Sequence, residues 1–95
     1  MPNEMEIRAL ARKVLNAGTI PRRDPERTWG GMGVDMPCTI CREPITREQT
    51  EYELQFSHDG ANPGLDRFHL HLRCFAVWEL ERNPMRPDDG SATPS

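Results

Sequence analysis

What this sequence has little of bounds what it can be. No run approaches the roughly 20 consecutive apolar residues that a membrane-spanning helix needs, so no membrane partner is expected. Only three cysteines are present, and an odd number leaves one over in any disulfide framework. The basic-then-apolar layout of a secretory leader is missing, because MPNEMEIRAL is acidic and amphipathic. Cytoplasmic residence is the expectation. Apolar residues make up just 36% of the 95, and mean hydropathy is -0.74. A chain this short buries a limited share of its surface, and domains near this size lean on a metal or a covalent brace. One small domain is therefore expected, with something other than a large core holding it together.

Charge is short on the positive side, with a net of -3. Nothing in that balance demands nucleic acid, but the distribution is uneven. Residues 8–27 carry six basic residues, Arg22 and Arg23 among them, against Asp24 and Glu26, whereas the chain from residue 43 onward is acidic. A basic run can bind an anion, although most such runs are simply solvated.

Four stretches follow one another: 1–18, 19–36, 37–83 and 84–95. The first reads as an amphipathic helix. Ile7, Leu10, Ala11, Val14 and Leu15 recur at helical spacing. Asn3 and Glu6 have capping-box spacing, and Gly18 suits the position after the last turn. The second stretch is a connector rich in Gly, Pro and Arg, in which neither helix nor strand periodicity is visible. Its one large side chain, Trp29, stands beside Gly30, Gly31 and Gly33. The area an indole buries makes anchoring on the core its expected role, with lining a ligand pocket as the other.

The chemistry is concentrated in the third stretch. Cys38-Thr-Ile-Cys41 is a CxxC and His71-Leu-Arg-Cys74 an HxxC, with 29 residues between them. Two ligands separated by two residues reach one cation from a tight turn or from a helix's first turn. Zinc accepts four such thiolate and imidazole ligands in a tetrahedron. The assignment uses every cysteine. A thioredoxin-type redox CxxC would need a helix directly after it, and Pro44 argues against that. His69 is the rival imidazole, but it is better read as a neighbour of the ligands. With four protein ligands and no open position, the expected zinc is structural and the chain is not expected to be an enzyme.

Between the ligand pairs the pattern is that of a hairpin. Tyr52, Leu54 and Phe56 alternate with Glu51, Glu53 and Gln55. After the turn formers of residues 59–64, Asp66, Phe68 and Leu70 alternate with Arg67 and His69. Those two are positioned to pair across strands with Glu51 and Glu53. From about His71 to Arg82 a helix is expected, loaded with Phe75, Val77, Trp78 and Leu80 and ended by Asn83-Pro84. The tail, 84–95, reads as disordered.

The order knuckle, hairpin, then a helix whose first turn returns two ligands resembles the treble-clef zinc fingers. The Cys-Cys-His-Cys set is similar to one zinc unit of a LIM domain, and the plan is similar to that of small bacterial zinc-binding proteins. The likeness covers about half the chain, from Pro37 to Arg82. It departs at Arg42, where such knuckles usually have glycine, and in having no second zinc unit. The expected fold is thus α+β: a treble-clef-like module with an extra N-terminal helix and one structural Zn²⁺. The expected function is protein interaction or regulation, with Trp29 or the N-terminal helix giving specificity. The alternative is a nucleic-acid-binding finger using residues 8–27, Arg22 and Arg23 above all. A remote third option is a nuclease of the His-metal finger type, with His58 as the catalytic group.

Overall fold

The computed structural model describes residues 2–58, 61 and 63–83. The tail at 84–95, expected to be disordered, lies outside the described residues, as does part of the 59–64 turn. The elements are α1 (Glu4–Asn16), β1 (Arg27–Met32), β2 (Thr50–His58), β3 (Gly64–His71) and α2 (Leu72–Arg82). The strands form one antiparallel sheet in the order β1-β2-β3. The chain is an α+β structure in which both helices share one core with the sheet. None of the described helices is long and apolar enough to cross a membrane.

Helix α1 forms where its caps and stripe place it. The Asn3 side chain accepts from the Glu6 backbone N–H at 2.9 Å, and Glu6 returns the bond to the Asn3 N–H at 3.0 Å. At the other end Gly18 takes φ +76°, and the Thr19 N–H reaches the Val14 carbonyl at 2.9 Å. That six-to-one bond through a left-handed glycine closes the helix as a Schellman motif. Ile7, Ala11, Val14 and Leu15 are buried and join Ile20, Ile40, Ile45, Leu54, Phe56, Leu70, Val77 and Trp78 in one cluster.

Helix α2 lies against α1 and the sheet, with Trp78 at the centre of an aromatic group. The Phe56 and Phe75 rings lie 6.4 and 5.9 Å from it, and Phe75 stacks on Tyr52 at 4.5 Å. Leu80, counted from the sequence with the apolar load of this helix, is instead exposed. Arg82 lies over the Trp78 ring at 4.5 Å and binds the Arg22 carbonyl and Asp24 Oδ1 at 2.9 and 2.8 Å. One side chain thereby clips the chain between α1 and β1 onto α2.

The largest departure from expectation is β1. Residues 19–36 show no strand periodicity, yet Arg27–Met32 pairs antiparallel with β2, from Arg27↔Gln55 to Met32↔Thr50. All six residues are exposed. Backbone pairing builds this edge strand without burying alternate side chains, so the period-two signal never arises. Gly30 permits the Tyr52 ring to lie across the strand, with Cε1 3.1 Å from where a Cβ would stand. Trp29 is therefore not an anchor on the core. It is 51% exposed, with the Arg27 guanidinium over its ring at 5.7 Å.

Past β1 the chain folds back on itself. A Cβ on Gly33 would meet the Thr46 carbonyl oxygen at 2.1 Å, so only glycine lets the two segments cross there. Asp35 N–H to Ile45 O and Ile45 N–H to Met36 O, both 2.8 Å, then zip a narrow loop whose tip carries Cys38 and Cys41.

Candidate metal centre

The loop tip, the end of β3 and the start of α2 bring Cys38, Cys41, His71 and Cys74 together. One ligand atom from each lies within 4.8 Å of all the others, and all four residues are buried. This Cys₃His group could hold a metal ion. His69, the rival imidazole, points elsewhere, to Glu51.

Each half of the centre has a local cause. In the loop, the Cys38 N–H reaches the Glu43 carbonyl and the Arg42 N–H reaches the Cys38 carbonyl, each at 2.9 Å. This tight turn holds both sulfurs on its inner side. Arg42 takes φ +71°, the left-handed conformation that glycine adopts at least cost. The departure from the zinc-finger pattern there is therefore one of residue type and not of backbone. The Thr39 N–H binds the His69 carbonyl at 2.9 Å, docking the loop on the outer edge of β3. In the second half, His71 is the N-cap of α2 and Cys74 lies in its first turn. An N-cap and a residue three positions later face the same way, the relation a capping box uses. Here the imidazole turns to the sulfurs and caps nothing.

The hydrogen bonds of His71 select its tautomer. Nε2 lies 3.1 Å from Gln49 Oε1 and 3.2 Å from the Pro44 carbonyl oxygen. Gln49 Oε1 also accepts from the Thr46 N–H at 2.9 Å, which fixes the amide with its oxygen toward the imidazole. Two acceptors require a proton on Nε2, so Nδ1 keeps its lone pair. Nδ1 is the atom facing Cys41 Sγ at 3.3 Å and Cys74 Sγ at 4.0 Å. An imidazole oriented by an outer partner is the usual support for a metal-bound histidine. Gln49 was not singled out in the sequence, where nothing distinguishes it from any polar residue near a strand.

The sulfurs divide the charge unequally. Cys38 is held down to about 4, first by a hydrogen bond from the Cys74 thiol and then by backbone N–H groups, against the opposing effect of burial. Cys74 is pushed up by that same shared proton, then by burial and its thiolate neighbours. Burial is the main cause raising Cys41. At neutral pH the metal-free centre thus holds one thiolate and two thiols. Three thiolates need a cation among them, so capture should release about two protons per ion, from Cys41 and Cys74. Uptake strengthens as pH rises and fails in acid. Titration in dilute buffer with a pH indicator checks this; no proton release would show that the thiols ionise beforehand.

The remaining sequence candidates lie away from this centre. Arg22 bonds Asn16 Oδ1 at 2.8 Å, and Arg23 bonds the Ser57 carbonyl at 2.5 Å and pairs with Glu26 at 3.3 Å. His58, at the far end of β2 from the register pair Glu51↔His71, lies 3.7 Å from Asp66. The expected cross-strand pairs do form, His69 with Glu51 and Arg67 with Glu53 at 3.4 Å. Compared with protein-family models, with curated proteins and with solved structures, the chain matches none.

Proposed function

We propose that this chain is a protein-interaction module of treble-clef type, braced by one structural zinc ion, that presents the exposed edge strand β1 to a partner protein. Zinc is the ion of choice for three thiolates and one imidazole in a closed set of four. Such a set leaves no open position for substrate, which favours a structural role over a catalytic one. Three thiolates with Zn²⁺ leave a formal charge of -1, and Arg42 and Arg73 stand next to ligands in the chain.

The observation that carries the proposal is the apolar run on and after β1. Trp29, Met32, Val34 and Met36 are all exposed, on a strand whose outer edge pairs with no other described strand. An unpaired edge offers main-chain hydrogen bonds, and aromatic and methionine side chains beside it offer anchoring area. The basic stretch looks less suited to phosphates. Arg8 pairs with Glu4, Arg12 with Glu81 and Arg23 with Glu26, while Arg27 lies over Trp29. Charges already paired within the chain contribute less to an external anion.

Affinity capture from cell lysate, with and without nuclease, tests this. Trp29→Ala and Met32→Ser should each abolish capture of protein while leaving zinc content unchanged, because a few anchors carry most of an interface's energy. Capture should survive nuclease and moderate salt. Loss on nuclease treatment, a steep salt dependence and sensitivity to Arg22→Ala would instead establish nucleic acid as the ligand.

A further inference from the structure

We infer that the outer face of the sheet carries a second cation site, formed by Glu51, Glu53 and His69 and separate from the cysteine centre. One ligand atom from each of the three lies within 4.8 Å of the others. The register makes this so: Glu53 stands directly opposite His69, and Glu51 is two residues away on the same face of β2.

Glu51 supplies the second observation. A glutamate on the solvent side of a strand beside an edge strand should be wet, yet this one is only 7% exposed. Its Oε2 meets His69 Nδ1, while its Oε1 is buried with no hydrogen-bond partner. A buried carboxylate oxygen without a donor is a costly arrangement that folding does not leave without reason. The unsatisfied oxygen belongs to a residue lining a pocket of about 240 Å³, together with Glu53, His69, Trp29, Gly31 and Met32. Gly31 stands opposite Glu51 on β1, and a Cβ there would touch nothing within 4 Å, so the floor of the pocket stays open.

The other charges nearby do not fill the gap. Arg67 Nε at 3.4 Å and Gln55 Nε2 at 3.1 Å both address Glu53 Oε2, and neither reaches Glu51. A protonated His69 would balance one carboxylate through Glu51 Oε2 and still leave Oε1 bare. A divalent cation answers both needs, since it balances two carboxylates and takes a lone pair from each of three donors. Two carboxylates and one imidazole form a harder set than the cysteine centre, suited to Mn²⁺ or Zn²⁺ and unsuited to thiophilic ions. Three protein ligands leave at least one coordination position, open to the pocket beside Trp29.

The full chain, purified with its cysteine centre filled, is titrated with Mn²⁺ followed by the loss of the free-ion EPR signal, and separately with further Zn²⁺ by equilibrium dialysis. One additional equivalent of Mn²⁺ or Zn²⁺ is expected per chain. His69→Ala and Glu53→Gln should each weaken that equivalent by about tenfold or more, with the first zinc retained as the sign of an intact fold. Glu53 is half-buried and outside the core cluster, so its replacement keeps the test valid should His69→Ala disturb the sheet. No saturable additional equivalent of either ion, or one unchanged in Glu53→Gln, would overturn the site and leave Glu51 and His69 as an internal ion pair.

Discussion

Chelation is expected to unfold this chain, and Cys74→Ser to prevent its folding. Structural zinc contributes on the order of 10 kcal/mol in small fingers, comparable to the entire stability of most domains. The geometry explains why the loss would be global. Cys38, Cys41 and Cys74 belong to the same buried cluster as Ile7, Leu54 and Trp78. The loop carrying Cys38 and Cys41 is otherwise held by its own turn and by the single Thr39-to-His69 bond to β3. Without the ion, two of three buried sulfurs remain thiols and nothing ties the loop to α2. His71→Ala should lose the metal as well, while His69→Ala should retain it, because His69 turns away to Glu51. A chain that stays folded and metal-free, by circular dichroism and elemental analysis, would refute the zinc brace. Retention of metal by His71→Ala together with its loss from His69→Ala would refute the ligand assignment.

Trp78→Ala should cost several kcal/mol, about 3–5 for a buried tryptophan replaced by alanine. Trp78 is fully buried and is the largest side chain in the core. Its removal opens a cavity between Phe56 and Phe75 and takes away the ring on which Arg82 lies. Because Arg82 also holds Arg22 and Asp24, the connector before β1 should loosen too. Trp78→Phe should cost much less. It keeps most of the apolar area and deletes Nε1, a buried donor without a partner. Denaturant unfolding of the zinc-loaded variants measures both. In a Trp29→Phe background the remaining fluorescence should resist aqueous quenchers, and ready quenching would show that α2 faces the other way.

Arg42 and Gly33 show how far local sequence reaches. Glycine at 33 is required by a backbone crossing that joins it to Thr46, thirteen residues on, and no pattern in the chain announces it. Arg42 occupies a left-handed position where glycine is expected, and the turn forms nonetheless because the Cys38 and Glu43 backbone bonds enforce it. Likewise Glu51 reads as a solvent-side residue by alternation alone. It is buried because β1 packs beside β2, and β1 has no periodicity of its own to reveal it.

The sequence by itself determined the elements whose signals are local. These are α1 with its Asn3 and Gly18 caps, the β2–β3 hairpin, α2, and the pairing of a CxxC with an HxxC. Helical stripes, strand alternation and ligand spacing are all written within a few residues, and each follows from backbone geometry that does not depend on the rest of the chain. Tertiary structure alone decided which nitrogen of His71 faces the sulfurs, because Gln49 and Pro44 select it from more than twenty residues away. It also decided that Trp29 faces solvent, that residues 27–32 form a strand, and that Glu51 is buried with an oxygen unpaired. Each depends on which segment lies across the sheet or the loop, and contacts between distant segments leave no period in the sequence to read.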